Sequence, residues 1–293
     1  MPSSLNDAHC HFFSTPFFAA LGGDTALKTL AWEAPGSADD LADHWVAELD
    51  WHHVARAAVI ASVPGDAESV GAAVRRHPSR LVGFFMVDPT QATAAVSAAD
   101  AIDRDGLRTM CLFPAMHRYS LHDARVRPVV DVAAGRPGTA VFVHCGVLSV
   151  GVRKKLGLPS PFDMRFSSPI DLHAIALTYP NVPFIVPHFG AGFFREALMV
   201  ADLCPNVRFD TSSSNAWIGY HPGLTLSTVF RQALAVVGAD RLLFGTDSSF
   251  FPRGWVRDVY QQQAAALDEI GASAEVRDKI FGGNFDRLFP IRP

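Results

Sequence analysis

The sequence predicts a closed (β/α)8 TIM-barrel fold, and three observations predict it. Eight short β-rich runs recur along the 293 residues. The stretches between them carry helical patterns. Most of the runs are apolar on both alternating faces, as strands buried on both sides of a parallel sheet must be. The runs are Leu5–Phe12, His53–Ser62, Leu81–Asp88, Gly106–Pro114, Thr139–Gly146, Pro183–Gly190, Val207–Ser213 and Leu242–Asp247. Helical patterns occupy Asp66–Arg76, Thr90–Asp103, Pro169–Tyr179, Phe193–Leu203 and Leu224–Val237. In the third and fifth runs, Leu81, Val82, Phe84 and Phe85, and Val141, Phe142 and Val143, offer no polar face. Eight units without a gap favour a closed barrel over an open doubly wound sheet, and no Gly-x-Gly-x-x-Gly follows the first run. Two further helices, Val256–Ile270 and Ala274–Phe289, complete one domain across residues 1–293.

Composition excludes several classes of function. A chain that is 49% hydrophobic and 18% charged can bury a large core and is not a disordered tail. A net charge of −4 supplies no basic stripe for phosphates or an anionic bilayer, so neither nucleic acid nor membrane is an expected partner. The start, Met1-Pro-Ser-Ser-Leu-Asn-Asp7, has no charged segment followed by an apolar one, and no apolar stretch is long enough to span a membrane. Cys10, Cys111, Cys145 and Cys204 are widely spaced and form no Cys-x-x-Cys, which suits buried free thiols in a reducing cytoplasm.

In a barrel of this kind the chemistry sits at the C-terminal ends of the strands. Unusual polar residues fall there: His9 and His11 close the first run, His144 the fifth, His188 the sixth and Asp247 the eighth. Residues i and i+2 of a strand share a face, so His9 and His11 project side by side while Cys10 faces the helices. Imidazole nitrogen and carboxylate oxygen suit a borderline divalent ion such as Zn²⁺, and His9, His11, His144 and Asp247 supply such a set. Each alone has a plainer reading, as a hydrogen-bonded core histidine or, for Asp247, a turn cap. Five together at strand ends of one barrel do not.

The motifs Asp7-Ala-His-Cys-His11, Val143-His-Cys-Gly146, Val186-Pro-His-Phe-Gly190 and Leu243-Phe-Gly-Thr-Asp247 resemble those of the amidohydrolase superfamily. The resemblance covers almost the whole chain. It points to the amidohydrolase-related branch containing aminocarboxymuconate-semialdehyde decarboxylase, together with hydratases and hydrolases. It implies one metal ion held by His9, His11, His144 and Asp247, most readily Zn²⁺ with Mn²⁺ as the alternative. It assigns His188 as the base or orienting group for the water the metal activates, with Asp247 shuttling a proton. Dimers are common in that branch, so a homodimer is one expected state.

Two departures refine the expectation. Members with two metals bridge them through a carboxylated lysine on the fourth strand, but Leu107-Arg-Thr-Met-Cys-Leu-Phe-Pro114 has none, and the only lysines are Lys28, Lys154, Lys155 and Lys279. A mononuclear site follows. The decarboxylase grips its substrate in part with an arginine soon after the first strand, and here no Arg precedes Arg56. The expected function is therefore metal-dependent hydrolysis of an ester, lactone or amide of a small carboxylated substrate. Non-oxidative decarboxylation of an unsaturated or aromatic acid is the second reading, and metal-free lactonase-like hydrolysis the third.

Substrate choice belongs to the loops after the strands. The cationic loop Val150–Ser168 offers Arg153, Lys154, Lys155 and Arg165, of which Arg165 is the expected carboxylate ligand. Arg253 follows the eighth strand as a second anion candidate, and Trp217 follows the seventh. Phe12, Phe13 and Phe113 suit the walls of a site for a flat or conjugated acid, whereas Phe17, Phe18 and Phe85 are expected to pack. His44, His52, His53, His77 and His173 lie away from strand ends and read as surface or packing residues. His117 and His221 sit in loops after the fourth and seventh strands, within reach of a substrate.

Overall fold

The computed structural model describes residues 4–213, 216–249 and 253–291. Eight strands form a single parallel sheet in strictly sequential order: β1 (Asn6–Phe12), β2 (Arg56–Ala61), β3 (Leu81–Val87), β4 (Thr109–Leu112), β5 (Ala140–Val143), β6 (Phe184–Val186), β7 (Val207–Asp210) and β8 (Leu242–Leu243). The sheet curls back on itself through a parallel bridge between Cys10 and Ser248, with Ala8 N–H donating to Phe244 O at 2.8 Å and His11 N–H to Ser248 O at 2.7 Å. The expected (β/α)8 barrel is the observed one.

Alternation along the strands sorts the side chains into two layers. On β3, Val82, Phe84 and Met86 fill the barrel interior with Ile60, Cys111, Phe142, Ile185 and Leu243, while Leu81, Phe85 and Val87 join the larger layer between sheet and helices. Gly83 faces that outer layer without a side chain because Leu107, Val70 and Val74 already occupy the space. The surrounding helices bury amphipathic faces. The helix Ala38–Trp51 opens with a reciprocal Ser37–Asp40 capping box and buries Leu41, Ala42, Trp45 and Leu49, which share one helical face. The floor of the barrel is closed by the C-terminal segment. Phe285 and Phe289 enter the interior layer, and Arg56, over the Phe285 ring, donates to Asp286 Oδ1 and Phe289 O at 2.7 Å each.

The expected helix Ala274–Phe289 is divided. A π-helical turn, Lys279–Gly283, separates Ala274–Asp278 from Asn284–Leu288. A side chain at Gly282 would collide with the Ser4 carbonyl, so the close approach to the N-terminal segment needs a glycine there.

The strands are shorter than the runs that predict them, and from β5 to β8 most of the losses fall at the C-terminal ends, which carry the polar residues. After β6, Pro187 offers no N–H and His188 and Phe189 take left-handed conformations with φ of 55° and 50°. After β8, Asp247 does the same with φ of 58°. All four cysteines are free and buried. Among the described residues no helix is long and apolar enough to cross a membrane.

Candidate metal centre and active site

The site begins with a bulge. The β1–β2 register shifts between Asp7 and Cys10, where Asp7 Oδ1 accepts from His9 N–H at 2.8 Å instead of leaving that donor to the ladder. Ala8 consequently belongs to the interior layer and Cys10 to the outer one, and His9 and His11 both line the cavity at the barrel mouth. On the closing side, Asp247 N–H donates to His9 O at 2.9 Å, which anchors the left-handed residue beside β1. Such a conformation costs a non-glycine residue about 1 kcal/mol or more. It persists here because it turns the carboxylate toward the histidines.

Three ligand atoms converge. His9 Nε2 and His11 Nε2 are 3.3 Å apart, and Asp247 Oδ1 lies 3.5 Å from the first and 3.1 Å from the second. The far side of each ring fixes which nitrogen carries its proton. His9 Nδ1 faces the Asp210 carboxylate at 2.6 Å, so it is the donor. The Ser62 hydroxyl gives its hydrogen to Ile60 O at 2.9 Å, so at 2.7 Å it accepts from His11 Nδ1. In the neutral rings both Nε2 atoms are therefore bare acceptors, pointed at each other and at a carboxylate. That arrangement is unfavourable unless a positive charge sits among them.

The electrostatics say the same. Burial pushes the His9 imidazole down, but Asp210, with help from Asp247 and Asp7, outweighs it and lifts the pKa to about 9. Burial would raise the Asp247 carboxyl, but the His11 hydrogen bond and the neighbouring imidazoles hold it well below the usual carboxylate range. The cluster attracts a cation, and His9, His11 and Asp247 fit a divalent metal ion.

His144 and His188 complete the histidine ring of the cavity. His188 stacks on His9 with centroids 5.1 Å apart, and its Nδ1 lies 2.9 Å from Ser212 Oγ, leaving Nε2 as its exchangeable atom for the cavity. Burial holds its pKa below the ordinary value, so the ring is neutral near pH 7. His144 stacks on Phe113 and meets His188 edge-on at 5.3 Å, and burial with the nearby imidazoles pushes it well below its ordinary pKa. Its Nδ1 is buried without a hydrogen-bond partner among the described residues. Its ligand atoms stand outside the group formed by His9, His11 and Asp247, whose members lie within 4.8 Å of one another.

One functional side chain was not anticipated. Asp210, at the end of β7 and fully buried, holds His9 in its tautomer and orientation. The signal was present, since Val207-Arg-Phe-Asp210 places a lone acid at the C-terminal end of a strand. Gly245 explains the tightness of this corner: a Cβ there would sit 2.8 Å from Asp210 Oδ1 and 3.0 Å from His9 Cβ.

The cavity over the cluster measures about 510 Å³. Among the described residues its charged lining, apart from Asp247, consists of Lys155 and Arg253, so it favours anions. Arg253 is exposed and makes no ion pair or hydrogen bond among the described residues. Trp217 lines the cavity, 5% exposed, and its indole N–H has no partner among the described residues. The expected carboxylate ligand Arg165 is elsewhere. Its side chain is 82% exposed and forked onto Asp163 two residues away, which removes it from the cavity lining and leaves Lys155, from the same loop, in its place. His117 and His221 also fall outside the lining; His221 Nε2 hydrogen-bonds to Gly192 O at 2.9 Å.

Above the site the loops make a small core of their own. Phe13, Phe17, Phe18 and Leu27 from the β1 loop pack with Val152 from the β5 loop, apart from the two barrel layers. Phe13 and Phe17 stack at 3.8 Å, and Lys155 Nζ lies 5.0 Å from the centroid of the Trp32 ring. Phe17, expected only to pack, is therefore also a wall of the cavity. Phe18 and Phe85 pack as expected, whereas Phe12 lies in the layer behind the sheet.

Comparison with known proteins agrees with this architecture. A family model described as Amidohydrolase matches residues 7–291. Protein fluG of Emericella nidulans is 31% identical over 105 residues, 36% of this chain, and the match spans only 12% of fluG. Among solved structures, the 5-carboxyvanillate decarboxylase LigW of Sphingomonas paucimobilis aligns over 99% of both chains with a TM-score of 0.67 at 15% identity. A probable 2-pyrone-4,6-dicarboxylic acid hydrolase of Acinetobacter baumannii, with citric acid bound, aligns over 98% of this chain and 99% of its own with a TM-score of 0.61 at 14% identity. An amidohydrolase of Burkholderia multivorans with bound Zn covers 99% of this chain and 100% of its own, with a TM-score of 0.63 at 16% identity.

Proposed function

Because the chain belongs to the amidohydrolase family, we propose that it is a metal-dependent hydrolase of an ester, lactone or amide of a small carboxylated substrate. The observation that carries this reading is the convergence of three acceptor atoms, from His9, His11 and Asp247, at the base of a cavity whose other charges are the cations Lys155 and Arg253. We assign one divalent ion, Zn²⁺ in the first instance, to His9, His11 and Asp247, and the unpartnered His144 as the residue that completes the set. When bound, such an ion supplies a Lewis acid for the substrate carbonyl and makes water acidic enough to ionise near neutral pH.

The chain's own groups do the rest. Asp210 and Ser62 hold the two histidine rings so that neither must reorganise. His188, neutral and anchored through Nδ1 to Ser212, takes up a proton at Nε2 or holds the attacking water in line. Asp247, ionised, accepts a proton from water and passes it to the leaving group. Arg253 and Lys155 bind the substrate carboxylate, Trp217 offers an indole N–H, and Phe13, Phe17 and Phe113 confine a flat substrate between apolar walls.

Decarboxylation of an aromatic or unsaturated acid is the second reading. These aromatic walls favour it, and it accords with the activity of the structurally similar decarboxylase from Sphingomonas paucimobilis. The deciding experiment is metal analysis of the purified protein with chelation and reconstitution, assayed on lactones, esters and unsaturated or aromatic carboxylic acids. About one divalent ion per chain, with ring opening or ester cleavage lost and restored, supports hydrolysis. Carbon dioxide release moves the assignment to the second reading. Activity that survives chelation refutes the metal mechanism.

A further inference from the structure

Behind the ligand cluster lies a carboxylate to which the reading above gives no part. Asp7 is fully buried, and its two oxygens take four donors. Oδ1 accepts from the backbone N–H of His9 at 2.8 Å and of Thr246 at 3.1 Å. Oδ2 accepts from Thr246 Oγ1 at 2.5 Å and Trp255 Nε1 at 2.7 Å. The network continues through Thr246 Oγ1 to Ser248 Oγ at 2.6 Å, and Ser248 Oγ accepts from Val256 N–H at 2.9 Å.

These bonds share one object. Thr246 immediately precedes Asp247, and Trp255 lies two residues beyond Arg253, so Asp7 grips both ends of the loop that carries the acidic ligand and a cavity cation. Its remaining bond fixes His9. Closing the barrel does not require any of this, because Ala8 N–H to Phe244 O and His11 N–H to Ser248 O already tie the eighth strand to the first. A buried carboxylate is costly unless fully hydrogen-bonded, and here all its donors come from residues beside ligands or at the ends of that loop.

We propose that Asp7 is a positioning residue: by holding Thr246 and Trp255 while bonding to His9 N–H, it sets Asp247 against the two histidines. The proposal rests on the metal reading of His9, His11 and Asp247.

The test is Zn²⁺ affinity, measured on folded protein by competition with a chromogenic chelator, alongside thermal stability. Asp7→Asn keeps the size of the side chain but replaces an acceptor with a donor that faces other donors, and Zn²⁺ affinity should fall about 10–100-fold, as for other groups that orient ligands. Thr246→Val, which loses only the hydroxyl, should fall about tenfold, while Thr246→Ser, which keeps it, should stay within about twofold of wild type. This series serves if Asp7→Asn does not fold. Variants Asp7→Asn or Thr246→Val that melt earlier yet bind Zn²⁺ as wild type does would give Asp7 a purely structural part and overturn the proposal. Wild-type protein that takes up no Zn²⁺ overturns the metal reading itself, and the proposal with it, before any variant is compared.

Discussion

Asp210→Asn removes the charge behind the proposed metal centre. The side chain keeps its shape and an acceptor for His9 Nδ1, now 2.6 Å from Asp210 Oδ2, but it loses its negative charge in a fully buried position and turns an amide N–H toward the Ser212 N–H that now donates to Oδ1 at 2.7 Å. The worth of the surrounding charge to a cation is visible in His9 itself, whose pKa stands near 9 against an ordinary 6.5 even though burial opposes the charged form. At about 1.4 kcal/mol per unit, that net preference is on the order of 3 kcal/mol, and Asp210 is the foremost of the three carboxylates that produce it. Losing roughly half gives on the order of 1–2 kcal/mol, or about tenfold in metal affinity, at the lower end of the range for groups that orient ligands. Chelator competition with Zn²⁺ measures it, with thermal melting to confirm the fold. Affinity within about twofold of wild type in a folded Asp210→Asn protein would refute the reasoning.

Three further outcomes follow from the same geometry. His188→Ala should retain stoichiometric metal but slow turnover by about 10²-fold, and unchanged turnover would remove His188 from the mechanism. Arg253→Met should raise KM for carboxylated substrates and leave neutral isosteres unaffected, while Arg165→Ala, already paired with Asp163 in solvent, should change neither; the reverse pattern would show that the β5 loop closes differently over substrate. Metal-free protein should lose thermal stability between about pH 6.5 and 9. The raised His9 pKa stabilises the fold in full below the unfolded imidazole value of 6.5, and that contribution disappears as pH rises through about 9. Zn²⁺-loaded protein, in which the metal replaces the proton, should not show this decline. A flat metal-free profile would contradict the environment described for His9.

The sequence was legible where periodicity governs and silent where chemistry overrides it. All eight strands and most helices lie within the predicted runs, because burial on both faces leaves a continuous apolar signature in β3 and β5. The polar residues at strand ends marked the site for the opposite reason, since nothing in a barrel core wants His9, His11 or Asp247. What the sequence hid is local conformation. β6 stops short because Pro187 offers no N–H and His188 takes left-handed backbone, and beyond β8 Asp247 does the same; histidine and aspartate enter that region more readily than most residues, but the sequence does not say at which position they do so. Arg165 shows a second limit: an aspartate two residues earlier captured it, and an Asp-x-Arg spacing in a loop is a signal of that self-pairing. Asp210 carries the same signal as His144 and His188, a lone polar residue at the C-terminal end of a strand run.

The small aromatic core above the mouth has an evolutionary consequence. Phe13, Phe17, Phe18, Leu27 and Val152 pack among themselves and not within either barrel layer, so replacing them reshapes the entrance while the layers that stabilise the fold stay intact. Substrate range and foldability are thereby exposed to selection as nearly independent traits. A lineage can drift toward a new acid or lactone through these few side chains, with the ligand histidines and the barrel inherited unchanged.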